Sequence, residues 1–182
     1  FLSPLDSSTD RDRSSFLANF GLRAYPSTLY LPPNYAAAFL IGNFVSAYLI
    51  LAPRTAKQYY GFDHQSSPRE DVAKYGPKMV SDGKISQSTL DMIKRWGFAH
   101  NNAIESYPFF TSAVLLALHA HIKTGTLNGL MALYTVARLA YAVAYVSIES
   151  DTISQLRGLL WWVGNFSCLT MMYLAGKKMQ VQ

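Results

Sequence analysis

Polar and apolar positions alternate along this chain in long blocks, and four of the blocks repeat apolar side chains as helices do. Residues 35–52 are uncharged and apolar. As a helix they would extend about 27 Å, close to the roughly 30 Å of a bilayer's hydrocarbon layer. Gly42 and Asn43 lie mid-span, where a small residue permits close helix approach and an amide bonds across an interface. Residues 53–87 form a polar connection broken by Pro53, Pro68 and Pro77 and by Gly61, Gly76 and Gly83. A second helix begins near Ser86 or Ser88 and reaches His121, with Pro108 expected to bend it near Glu105. Residues 126–148 make a third span carrying Arg138. Residues 158–176 make an uncharged fourth, followed by Lys177 and Lys178.

This pattern predicts an all-α integral membrane protein of four transmembrane helices with both termini on one side. The expected organisation is a leader over 1–33, a four-helix domain over 34–176 with its long loop at 53–87, and a tail over 177–182. Within the leader, SSFLANFGLRAY precedes Pro32 and Pro33 and suits either a segment lying at the membrane interface or one packed on the bundle. Residue 1 is Phe and the first methionine is Met79. Residues 1–13 therefore read as a processed, truncated or added terminus without function, too poor in Leu and Phe for the core of a signal peptide.

Composition agrees with the membrane expectation. Half of the residues are apolar and only 15% are charged, against roughly 25% in soluble domains. The net charge of +5 raises nucleic acid as a partner. The basic residues instead flank the apolar runs, as in membrane proteins, so the expected partner is the bilayer and not nucleic acid. Eight lysines and arginines lie between Arg54 and Arg95, against six on the opposite side (Arg11, Arg13, Arg23, Lys123, Lys177 and Lys178), which puts the 53–87 loop in the cytosol. Cys168 sits in an apolar run and reads as a packing residue. His119 and His121 diverge on a helix and His64 is isolated in the loop, so no metal site is expected.

Candidate chemistry gathers around RWGFAHNNAIESYPFF, residues 95–110, where Arg95, Phe98, Asn102, Glu105 and Phe109 fall along one helical face. An ionised or amide side chain in the apolar layer costs about 2.5–3.5 kcal/mol on insertion scales and often marks function. On the third helix Tyr134, Arg138, Tyr141 and Tyr145 also share a face, and Arg157 opens the fourth. The topology brings Asn102, Glu105, Tyr141, Tyr145 and Arg157 to the loop side of one bundle, where a shared mouth for a polar ligand is expected. The bland alternative is that Glu105 and Arg138 simply neutralise one another.

AHNNAIESYPFF (residues 99–110), ARLAYAVAY (residues 137–145) and LRGL around Arg157 resemble the MAPEG family, the membrane-associated proteins of eicosanoid and glutathione metabolism. The resemblance implies a MAPEG-like four-helix membrane protein, homotrimeric, in the endoplasmic reticulum. Glutathione would be the cofactor, held between neighbouring subunits near the cytosolic face, and a lipophilic substrate would enter from the bilayer. Asn102 and Glu105 match the amide and carboxylate that bind glutathione's polar ends. Arg95 matches a basic residue one to two turns earlier, and His100 falls where members carry His or Gln. Arg138, Tyr141 and Tyr145 match positions lining the site, and Arg54 matches an arginine that a neighbouring subunit offers. Arg157 would stabilise the thiolate with Tyr145 as helper, and Glu105 completes the expected catalytic set. The chain departs from the pattern at Phe98 and Asn101, where glutathione enzymes or the prostaglandin synthase type carry arginine, and at Thr55 after Arg54.

Three functions fit these residues. One is a glutathione transferase, peroxidase or isomerase acting on a lipophilic electrophile. Another is a thiol-independent isomerase or cyclase in which Glu105 works as acid or base, favoured by the missing arginines. The last is a lipid-binding or lipid-presenting protein without chemistry.

Overall fold

A computed structural model describes residues 16–23, 32–64 and 66–181, and these are helical without a strand among them. Of the expected leader, residues 1–15 and 24–31 lie outside the described residues, including all of 1–13. The long helices are α1 (Ala36–Val45), continued by a π-helical turn at Ser46–Ile50, then α2 (Arg54–Tyr59) and α3 (Asp71–Ser81), followed by α4 (Gln87–His119), α5 (Thr124–Ser147) and α6 (Asp151–Met179). Two stretches, Ala36–Tyr59 and Thr124–Ser147, are long and apolar enough to cross a membrane. Helices α4 and α6, at 33 and 29 residues, are long enough but too polar on average to reach the same mark. Large apolar side chains point outward: Leu49, Val136 and Val143 are each about two-thirds exposed, at 65%, 65% and 66%. Apolar side chains so exposed along helices mark a surface meant for lipid or another chain rather than water.

The chain divides into two compact units. One takes the described residues up to Gly42, with Phe109–Ala137 and Trp162–Gln182. Its core is Phe110, Ala113, Val114, Ala117, Leu127, Met131, Cys168 and Met171, with the Phe110 ring stacked on Tyr134 at 4.1 Å. Cys168 thus occupies the packing position expected for it, and Tyr134 belongs to this core as well. Part of the leader docks here. Asn128 is fully buried and its amide donates to Asn19 O and Pro33 O, both at 2.9 Å, while its oxygen accepts from Tyr35 N–H at 3.2 Å. Gly129 lets this happen, since a Cβ there would lie 2.4 Å from Phe20 O. Of the two alternatives for the leader, its described part is packed on α5.

The second unit takes Asn43–Pro108 and Arg138–Trp161. The 53–87 connection is not a structureless loop, because it carries α2 and α3. Phe62, Ile85, Leu90 and Ile93 are buried together with Ala56, and Val72, Tyr75, Met79 and Trp96 pack on them. Spaced apolar residues among the Pro and Gly gave these short helices a hydrophobic side, and burying it offsets the entropy of ordering them. At the end of α1 the π turn and the following bend leave two carbonyls to side chains of α4: Ala47 O accepts from the His100 ring at 2.9 Å, and Leu51 O accepts from Trp96 Nε1–H at 2.9 Å.

Candidate functional site

All nine residues expected at the site lie in the second unit; eight of them are described as two groups, and the Glu105 charge of the second still acts on Tyr141 of the first. The first is a string running from α4 to α5 and α6. Arg138 Nη2 donates to Asn102 Oδ1 at 2.5 Å, to Asn102 O at 2.9 Å and to Ser106 Oγ at 2.7 Å. Its guanidinium lies over the Tyr141 ring, 4.9 Å from the centroid. Tyr141 and Tyr145 are 5.4 Å apart, and Arg157 lies over Tyr145 at 4.6 Å. Spacings of three and four residues along α5 put Arg138, Tyr141 and Tyr145 on one face, so guanidinium and ring alternate. Each cation–ring contact stabilises by roughly 0.5–2 kcal/mol, more when water is excluded. Arg157 Nη2 also donates to Ile148 O, while its Nε is buried without a hydrogen-bond partner among the described residues. Arg95 is tied to the end of α5, through Nε to Val146 O at 3.2 Å and Nη2 to Glu149 at 2.8 Å.

The second group lines a pocket of about 720 Å³, within the size range of about 300–1,000 Å³ common for small-ligand sites. Helix α4 contributes Phe98, His100, Asn101 and Glu105, and the connection contributes Arg54, Lys57, Arg69 and Val72. Phe98 is 58% exposed, so the position where the resembled family carries arginine presents an apolar ring. Glu105 makes no ion pair among the described residues, because Arg138 is turned to Asn102 and Ser106. The expected neutralisation of Glu105 by Arg138 does not occur. A nearby amide oxygen can satisfy a guanidinium with less desolvation than a carboxylate requires.

Only Arg54, His100 and Glu105 of the expected residues line the pocket, while Asn102, Arg138, Tyr141, Tyr145 and Arg157 form the string.

Behind the pocket wall lies an ion network that sequence reasoning missed. Lys57, 4% exposed, donates to Asp71 at 3.0 Å and to Pro68 O at 2.5 Å, and sits 3.4 Å from Asp63. Asp71 is fully buried and also accepts from the His64 backbone N–H at 3.1 Å and pairs with its ring Nδ1 at 3.0 Å. The His64 ring stacks on Tyr75 at 4.0 Å. Burial works to raise the Asp71 carboxyl, but the His64 N–H, the Lys57 ammonium and the His64 ring together hold it below the usual carboxylate range. Arg54 pairs with Asp63 at 3.0 Å on the same connection, and that carboxyl too is held low, against desolvation, by Arg54, Gln58 and Lys57. No local spacing signals a pairing across fourteen residues. Ser106 was detectable as the residue one turn after Asn102.

An all-helical chain with outward Ile, Leu and Val, and with arginines satisfied by amide, hydroxyl and aromatic groups inside, is a helical membrane protein. The family model described as the MAPEG family matches residues 33–177. The chain belongs to the MAPEG family and is a membrane protein of the eicosanoid and glutathione metabolism type. Searches of curated proteins and of solved structures find no significant match.

Proposed function

We propose that this protein is an integral membrane enzyme of the glutathione transferase or isomerase type, acting on a lipophilic small molecule as a homotrimer of four-span chains. The proposed setting is the endoplasmic reticulum membrane, with the 53–87 connection on the cytosolic side. The observation that carries the activity is the Arg157 Nε–H, a buried cationic donor with no acceptor among the described residues, over Tyr145. A buried unsatisfied donor costs about 1–3 kcal/mol, more when charged, and persists where a ligand is to complete it. An anion seated there gains a charge-assisted hydrogen bond, and a thiol beside a cation is acidified.

The residues fit glutathione in kind. Glu105, without an ion pair, suits an ammonium, and Asn102 offers an amide whose oxygen is already used by Arg138. His100, Arg95, Arg138, Tyr141 and Arg54 would complete the polar lining. When bound, glutathione supplies a nucleophilic sulfur. Arg157, over the Tyr145 ring at 4.6 Å, would be the cation beside that sulfur, and the exposed Phe98 ring would give a lipophilic co-substrate an apolar wall. In a trimer the pocket and the string would be completed across subunits, as the family resemblance implies.

Calorimetry of the detergent-purified protein with glutathione tests this. Heat at up to millimolar ligand is the expected outcome, and silence at that concentration removes the proposal. Phe98 in place of an arginine favours a second function, a thiol-independent isomerase or cyclase using Glu105 as acid or base. Turnover of a lipophilic metabolite without added thiol would select it.

A further inference from the structure

The charged wall of the pocket comes largely from the 53–87 connection. Three of its lining cations are already engaged: Arg54 with Asp63, Lys57 with Asp71, and Lys94 with Asp91, at 3.0, 3.0 and 3.1 Å. Arg69 lines the same pocket, is exposed, and makes no hydrogen bond or ion pair among the described residues. The pocket therefore presents one uncommitted guanidinium from the connection and one uncommitted carboxylate, Glu105, from α4.

Arg69 is exposed at its tip but anchored at its backbone. The Lys57 ammonium grips Pro68 O, immediately before it, and the Asp71 carboxylate, two residues after it. Asp71 is fully buried and also bonded by His64. A cation mounted on a segment fixed from both sides loses less backbone freedom when it engages a ligand. The pocket follows α4 from Ile93 to Glu105, about 18 Å at helical rise. That is longer than the roughly 10 Å of an extended tripeptide.

We propose that Arg69 is the guanidinium that holds the glycyl carboxylate of a glutathione-class peptide whose ammonium lies at Glu105. The connection thereby supplies the cation that α4 lacks at Phe98 and Asn101. This rests on the glutathione function proposed above. The glycyl carboxylate is the assigned one because it is the end remote from the ammonium, and the two uncommitted charges come from different walls. A planar guanidinium suits a carboxylate through paired N–H donors.

The test compares binding of glutathione and of its glycyl monoethyl ester by calorimetry, on wild-type protein and on Arg69→Ala and Arg69→Gln in the same detergent. The ester keeps the thiol and the ammonium and removes only the charge assigned to Arg69. Wild type should bind glutathione roughly tenfold to a hundredfold more tightly than the ester, the worth of one charge-assisted contact. Both variants should bind the two ligands alike, with the affinity that wild type has for the ester. Equal discrimination in wild type and variants would overturn the role of Arg69 while leaving glutathione binding intact. Absence of glutathione binding by wild type would overturn both. Unchanged elution of the variants in gel filtration excludes misfolding as the cause, since the Arg69 side chain is exposed and makes no hydrogen bond or ion pair among the described residues.

Discussion

Asn102 shows how a residue's task changes once its neighbours are known. Its amide oxygen accepts from Arg138 at 2.5 Å, with Ser106 taking the same guanidinium nitrogen at 2.7 Å. Asn102→Ala is therefore expected to cost about 1.5–3 kcal/mol of stability as a lost hydrogen bond to a charged group. A thermal melt in detergent checks this, and an unchanged midpoint would mean that Arg138 is satisfied without the amide. Phe98 allows the opposite kind of test. It is 58% exposed on the pocket wall, so Phe98→Arg can be accommodated without disturbing a core. The new guanidinium should raise glutathione affinity by about tenfold, measured by calorimetry, and a drop in affinity would show that the apolar ring is itself the contact. Phe98 and Asn101 were legible in the sequence as departures from the family pattern. Arg69 was not, because nothing in a Pro- and Gly-rich stretch announces which of its cations will face a pocket.

At the scale of elements, the connection between α1 and α4 is held by charges rather than by length of helix. Helix α2 has only six residues, too few to persist alone in water. The Lys57–Asp71 pair, with His64 on the same carboxylate, ties α2 to the start of α3. Removing one partner of a buried pair strands the other, so Asp71→Ala should destabilise the unit by about 3–5 kcal/mol. Cleavage between residues 57 and 71 in limited proteolysis should then precede global unfolding. The pH dependence follows from the direction in which the carboxyl is held. Folded Asp71 titrates below its unfolded value of about 3.9. Its contribution is thus complete above that value and disappears as pH falls through the lower, folded one. The melting difference between wild type and Asp71→Asn should narrow only below about pH 4. A second element-scale device is Gly129, whose missing Cβ leaves room for Phe20 O. Gly129→Ala should push the leader off α5 at a cost of about 1–3 kcal/mol, visible as faster hydrogen exchange in residues 16–23.

For the whole molecule, the distribution of polar groups matters more than any one of them. Glu105 and Asn101 stand exposed on one chain, on a helix whose inner face is buried. Native mass spectrometry in detergent should find three chains, and a monomer at all detergent concentrations would remove the shared site. The sequence by itself determined the all-α class and the family, because apolar blocks at helical period and the motif N-x-x-E-x-x-P are local properties of the chain; the last helix, expected over 158–176 and opened by Arg157, begins instead at Asp151, which puts Arg157 in its second turn. It also placed Arg138, Tyr141 and Tyr145 on one face, since three- and four-residue spacing suffices for that. Only the tertiary structure decided that Arg138 turns to Asn102 and Ser106 instead of Glu105, that the Arg157 Nε–H is buried without a hydrogen-bond partner among the described residues, and that Lys57 reaches Asp71. Those outcomes depend on which groups meet across separate helices and on how well each charge is compensated there. Neither quantity is carried by any short window of residues.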